Sequence, residues 1–177
     1  MKKFLLGLLI GIFIPALSGV IFLLSGGMPV ATKGPALPME KLIAGTALHV
    51  AIKGQEGKAS PLVADEVNLL AGAKIYMNQC AVCHGLNDGH SSFIAKGLFP
   101  QPPQLLEKDH GVTDDPIGES YWKIKNGIRL TGMPGFVDNL SETELWQVSE
   151  LLVNADKLPP IVTQSLVTQS LESHIAH

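Results

Sequence analysis

From Phe4 to Leu24 the chain runs for 21 residues without a charge, with only Gly, Ser and Pro15 interrupting the apolar side chains. At about 1.5 Å per residue a helix of that length crosses the ~30 Å hydrocarbon core of a bilayer. A segment apolar on every side does not fit the surface of a small water-soluble domain. Lys2 and Lys3 precede it, and the next charge is Lys33. The positive-inside rule leaves the short N-terminus in the cytoplasm and exports the rest. A cleaved signal peptide is the alternative, with Ser25-Gly26-Gly27 as a small-residue cleavage site. Its apolar region usually holds only about 7–15 residues, so the length favours an anchor that stays. Pro15 is tolerated in either case. Residues 1–27 are therefore expected to be an N-terminal membrane anchor (or signal peptide). That makes a single span in the inner, cytoplasmic membrane, with the remainder facing the periplasm.

Composition narrows what lies beyond the anchor. Hydrophobic residues are 46% of the chain, and charged residues only 16% against a usual share of about 25%. This excludes a disordered, solvating chain. A net charge of -3 gives no electrostatic footprint for nucleic acid. Two cysteines exclude a disulfide scaffold. Aromatic residues are 6%, so a core made of side chains alone would be thin.

Residues 28–64 read as a linker carrying one short amphipathic helix. Gly and Pro dominate its start, and Met39, Leu42, Ile43, Ala47, Val50 and Ala51 then recur at helical spacing. This helix is expected to pack on the main domain or lie at the membrane surface. His49 within it has no neighbouring partner ligand and reads as a partly exposed histidine. The main domain is placed at residues 65–156. Residues 66–79 read as a helix with Asp65 or Asn68 near its start, and residues 85–115 as mostly irregular. A helix over Ile117–Asn126 is predicted, capped by Asp114 or Asp115, with Pro116 at its first position and Gly127 as its stop. Ser141-Glu142-Thr143-Glu144 is a capping box opening a helix over 142–154. Residues 157–177 form a tail with a five-residue repeat, Val162–Leu166 then Val167–Leu171, too short for a repeat architecture. It reads as a marginal helix or a loosely docked tail. No alternation of β-branched residues with hairpin signals competes, so the domain is all-α and loop-rich. About 90 residues with so few aromatics would fold weakly unassisted.

Cys80-Ala81-Val82-Cys83-His84 supplies what is missing. C-x-x-C-H is the attachment motif of haem c: two thiols add across the two vinyl groups, and the adjacent histidine reaches the iron. Zinc would need four ligands, and no second cysteine pair exists. A redox dithiol expects a βαβ setting, whereas this motif ends a helix. One covalent haem is expected, held by Cys80 and Cys83 with His84 on the iron. Haem c is attached outside the cytoplasmic membrane, which agrees with export. The candidates for the sixth iron position are His90, His110, Met133, His174 and His177. Met133 stands in Thr131-Gly132-Met133-Pro134-Gly135-Phe136, where Gly and Pro hold an extended loop. This presents a thioether from a rigid support, and Met133 is taken as the ligand, with His110 as runner-up. His90 lies too near His84 to reach round the porphyrin.

The chain resembles the class I monohaem cytochromes c. The resemblance rests on Gly72-x-x-x-Tyr76, then Cys80-x-x-Cys83-His84-Gly85, Pro103-x-Leu105, Asn126-Gly127-Ile128, Gly132-Met133-Pro134 and a final amphipathic helix. It covers about residues 65–156, in the family's order, and is narrower still with membrane-anchored bacterial electron-transfer cytochromes. The resemblance implies a small fold of three to five helices around the haem, its first and last helices crossing at Gly72. Tyr76 would pack against Val148, Leu151 or Leu152. It implies that the Pro103 carbonyl accepts from the iron-bound imidazole, with Pro100 and Pro102 as rivals. Arg129 and Trp122 are candidate partners of a haem propionate, against solvation for the first and packing on the haem edge for the second.

Electron transfer follows as the expected function: the chain is a carrier and not an enzyme, with both axial positions filled and a potential raised by His/Met ligation. The alternatives are a cytochrome subunit of a larger membrane oxidoreductase, or a haem-based sensor or enzyme with an open iron site. The expected partners are redox proteins and the membrane, with no nucleic acid and no small-molecule substrate. Without Lys2 and Lys3, 11 basic residues face 16 acidic ones, a formal charge of -5. A docking surface ringed by lysines is not expected, although Lys96, Lys123 and Lys125 are candidates for a local cluster.

Overall fold

Asp65 opens the first helix of the haem-motif region: its carboxylate accepts from the Asn68 backbone N–H at 2.9 Å, satisfying one of the amides a helix start leaves orphaned. The helix, α3 of the computed structural model, spans Glu66–Ile75. The structure describes residues 1–86, 91–107 and 111–175, with side chains to residue 168. The chain divides into two units, Met1–Lys41 and Leu42–His177.

The first unit contains α1, Lys2–Leu24, 23 residues long with no buried residue. Its length and apolar composition suffice to cross a membrane. Near the unit's end the Leu37 N–H donates to the Glu40 carboxylate at 2.7 Å. This bond precedes α2, Glu40–Ile52.

In the second unit a 3₁₀ turn, Lys53–Gln55, follows α2. After α3 the backbone widens into a π-turn at Tyr76–Cys80 and resumes as α4, Ala81–His84. Then come α5 (Phe93–Gly97), α6 (Ile117–Asn126), α7 (Glu142–Val153) and α8 (Pro160–Ile175). No strand occurs among the described residues. The architecture is the all-α arrangement expected of a small cytochrome c.

The crossing of α3 and α7 organises the core. Gly72 makes it possible: a Cβ there would lie 2.8 Å from the Gln147 carbonyl carbon and 3.2 Å from the Leu151 Cβ. Tyr76, Val148 and Leu151 are fully enclosed in the same cluster, together with Leu69, Ala73 and Leu152. This is the crossing, and the company for Tyr76, that the resemblance implied. The capping box at Ser141 and Glu144 also forms, with the serine hydroxyl accepting from the Glu144 N–H and the carboxylate accepting from the Ser141 N–H.

Three local readings are corrected and one holds. Pro116 itself is the N-cap of α6, with no side-chain cap, because Asp115 turns instead to Lys123 at 3.0 Å. Residues 85–115 are mostly irregular where described, as expected, apart from α5, which starts where the Ser92 hydroxyl accepts from the Ala95 N–H. The helix expected over 66–79 breaks into a π-turn at Tyr76. The tail is not loosely docked, since Val162 and Leu166 are buried in the core cluster beside α3. Apolar spacing alone could not foresee this, because the repeat shows which positions are apolar but not what they pack on.

Candidate functional site

The wide turn at Tyr76–Cys80 brings the two cysteines and the histidine to one wall of a cavity of about 270 Å³. Cys80, Cys83 and His84 line it from the turn and α4, and Met133 lines it from the loop after α6. Leu98, Leu105, Val112, Ile124, Ile128, Phe136 and Leu152 add apolar side chains to the remaining wall. The cavity is thus apolar, with a few polar groups converging on it, as a cofactor site should be.

Hydrogen bonds at both ends of α4 position His84. The Gly85 N–H donates to the Ala81 carbonyl at 2.8 Å, and Gly85 takes a positive φ of 67° that ends the helix. The Tyr76 hydroxyl donates to the Gly85 carbonyl at 2.7 Å from inside the core. Burial pushes its phenol well above the ordinary range, so the hydroxyl stays a donor. The Ser92 hydroxyl donates to the Val82 carbonyl at 2.6 Å. His84 Nδ1 lies 2.8 Å from the Pro103 carbonyl oxygen. A carbonyl only accepts, so Nδ1 carries the proton and Nε2 keeps its lone pair. Burial lowers the imidazole's proton affinity, and the Pro103 bond pulls the other way. Such a neutral, oriented ring is the form that ligates a metal. Pro103 makes this bond; Pro100 and Pro102 are only wall residues.

Met133 is held by the end of α6. The last carbonyls of that helix lack partners within it, and the Met133 loop provides them: Phe136 N–H donates to Ile124 at 3.1 Å, and Val137 N–H to Lys125 at 3.1 Å. Gly127, at φ 68°, lets the two strands of this loop touch; a Cβ there would lie 2.6 Å from the Pro134 carbonyl carbon. The Thr131 hydroxyl accepts from the Met133 N–H at 3.1 Å and donates to the Ile128 carbonyl at 2.7 Å. Gly132 leaves room for Leu98, whose side chain would meet a Cβ within 2.6 Å.

The donor set fits a haem c. Neither cysteine is in a disulfide. Burial, with the neighbouring Cys83 adding to it, pushes the Cys80 thiol up to about 12. The thiol is thus held protonated while nothing is bound to it. No group of three or more His, Cys, Asp or Glu able to hold a metal ion occurs among the described residues. What the cavity offers is one imidazole, one thioether and two thiols in an apolar slot, as a covalently attached haem requires.

The structure separates the remaining candidates. Arg129 is exposed beside the lining residue Ile128 and does not itself line the cavity. Trp122 is half-buried; Ser120, Lys123 and Ile124 are the α6 residues that face the cavity. At 100° per residue Trp122 falls on the opposite side of that helix. His90, His110 and His177 lie outside the described residues, as does the side chain of His174. His49 is exposed. Lys123 pairs with Asp115 and Glu119, and Lys125 with Glu142, so two of the three candidate docking lysines carry acidic partners. Leu48 and Thr131, which reading the sequence passed over, line the cavity. Thr131 was signalled by its place two residues before Met133; Leu48 lay outside the expected domain.

Residues 67–152 match the family described as cytochrome c oxidase, cbb3-type, subunit III. The chain is 33% identical over 86 residues to the cytochrome c subunit of a quinone alcohol dehydrogenase from Gluconobacter oxydans (strain 621H). That alignment takes in 44% of this chain and only 16% of the relative. A chain of the Kuenenia stuttgartiensis reducing HAO-like protein complex is 25% identical, covering 55% of this chain and 47% of that one, with a TM-score of 0.47. The matched segment contains the cysteine pair, His84 and Met133, each on the wall of one apolar cavity. Residues 67–152, 86 of the chain's 177, are thus similar to a cytochrome c domain.

Proposed function

We propose that the chain holds one haem c, bound through Cys80 and Cys83 and ligated by His84 and Met133, and passes single electrons between redox proteins at the periplasmic face of a membrane. One observation carries this reading. The imidazole and the thioether line the same cavity, each steadied by a hydrogen bond, from the His84 ring to the Pro103 carbonyl and from the Met133 N–H to the Thr131 hydroxyl. His84 and Met133 would together leave no position on the iron for a substrate, and the haem they hold would supply one-electron redox chemistry. α1 would keep the domain tethered and raise its effective concentration near a membrane-bound partner.

Carbon monoxide tests the closed site. Ferrous protein with Met133 on the iron binds it slowly or not at all; rapid binding at micromolar gas would put a sensor or an oxygen-handling enzyme ahead. Deleting residues 1–24 tests the tether, because turnover in native membranes should then fall. Unchanged turnover would remove tethering from the mechanism.

The match to a subunit of a quinone alcohol dehydrogenase favours a second reading, a cytochrome held permanently in a larger oxidoreductase. Purification from membranes in mild detergent distinguishes the two. A stoichiometric dehydrogenase or oxidase partner supports the subunit, and a lone cytochrome supports the carrier.

A further inference from the structure

Leu48 lines the cavity, yet it stands 19 positions before the first residue of the matched cytochrome domain, Val67. The segment that carries it is fastened to that domain at several points. Ile52, one helical turn later, is 4% exposed. Beyond the 3₁₀ turn the backbone passes directly over α6. A Cβ on Gly118 would lie 2.9 Å from both the Cβ and the carbonyl oxygen of Lys58, and closer still to the Gln55 carbonyl oxygen. The Lys58 ammonium sits 4.1 Å from the centre of the Tyr121 ring and 5.4 Å from that of Trp146. Those rings stack on one another at 4.0 Å. A cation over two stacked aromatic faces is a specific attachment. Helix α2 is apolar on two sides: Leu48 and Ile52 turn inward, whereas Leu42, Ile43 and Val50 are exposed.

We propose that residues 42–58 form an additional wall of the haem site, with Leu48 as a haem-contact residue that sets how much water reaches the porphyrin. This inference rests on the haem reading above. Oxidation adds a positive charge to the haem, and a low-dielectric surrounding disfavours the more charged state. A wall that excludes water therefore raises the reduction potential, and opening it lowers the potential. Gly118 acts from outside the cavity as a positioning residue. Its missing side chain is what lets the strap lie against α6.

The test uses the full-length holoprotein and four variants: Leu48→Ala, Leu48→Gln, Gly118→Ala and, on the exposed side of α2, Val50→Ala. The midpoint potential is measured beside the ferric near-infrared band of the thioether–iron bond. The potential should shift down in Leu48→Ala and further in Leu48→Gln, with the band retained. Gly118→Ala should shift it the same way, because the added Cβ displaces the strap without a change of charge. Val50→Ala should leave it unchanged. Unshifted potentials in both Leu48 variants, with the band intact, overturn the proposal. Hydrogen exchange on the unaltered holoprotein decides the matter if a variant fails to fold. The amides of residues 48–52 should be protected to the degree of α6, and exchange at the rate of an unstructured segment overturns the wall. Protein that carries no haem at all would instead refute the function, and is thereby distinguished.

Discussion

Replacing Gly72 with alanine should be among the most damaging single-methyl additions available to this protein. A Cβ at that position would stand 2.8 Å from the Gln147 carbonyl carbon and nearer still to its oxygen. Carbon atoms in good contact sit about 3.5–4.0 Å apart, so α3 and α7 must part by roughly 1 Å. A radial gap of that size forfeits about a quarter to a half of each pairwise attraction. The pairs affected involve Leu69, Ala73, Tyr76, Val148, Leu151 and Leu152, each no more than 3% exposed. Overpacking of this kind costs about 1–3 kcal/mol, and a backbone obstacle puts it at the upper end. Alanine returns about 0.5–1 kcal/mol through its better helix propensity. The net loss is about 2–2.5 kcal/mol, or about 10 °C in Tm for a unit of this size. The assay is thermal unfolding of the holoprotein followed by far-ultraviolet circular dichroism and the Soret band. Gly97→Ala is the control, because nothing lies within 4 Å of a Cβ there. If Gly72→Ala melts within about 2 °C of the parent, the close crossing of α3 and α7 is refuted.

Three further outcomes are expected. Tyr76→Phe removes the donor to the Gly85 carbonyl and should cost about 1–3 kcal/mol in denaturant unfolding, because a half-buried acceptor loses its partner. Thr131→Val should cost about 1 kcal/mol and weaken the thioether–iron band by loosening the Met133 backbone. Glu142 accepts from both Lys125 and the Tyr121 hydroxyl, and these bonds hold its carboxyl below the ordinary range. A depressed pKa gives stability that is present at neutral pH and lost as pH falls through the folded value. The bonds that Lys125 donates to Glu142 and to the Tyr121 hydroxyl raise Lys125, and burial with the Glu142 bond raises Tyr121, so those contributions fade instead at alkaline pH. The melting difference between the parent and Glu142→Gln should therefore narrow at both extremes. A difference that stays constant from pH 7 down to pH 3 would contradict this.

The parts of the site that a short motif encodes were legible in the sequence. Cys80, Cys83 and His84 follow from covalent spacing, and Met133 from the glycine and proline around it. Capping chemistry is equally local, which is why Asp65 and the Ser141–Glu144 box read correctly. What stayed hidden depends on contacts far apart in sequence. Asp115 gave up the cap it was expected to make because Lys123 competes for it. Val162 and Leu166 showed an apolar repeat, but its partner α3 is nearly 90 residues away. Leu48 lay in a helix with apolar residues on two sides, and sequence spacing does not say which side is covered. Arg129 and Trp122 were chosen by residue type and proximity to the motifs, whereas facing the cavity is decided by helix phase and loop direction.

Met133 on the iron is the point on which electron transfer through a closed site depends. The most direct measurement is the near-infrared spectrum of the ferric holoprotein beside that of Met133→Ala. A sulfur-to-iron charge-transfer band should be present in the parent and absent from the variant, whose ferrous form should then bind carbon monoxide rapidly. A parent spectrum without that band, or one that Met133→Ala leaves unchanged, would contradict the account.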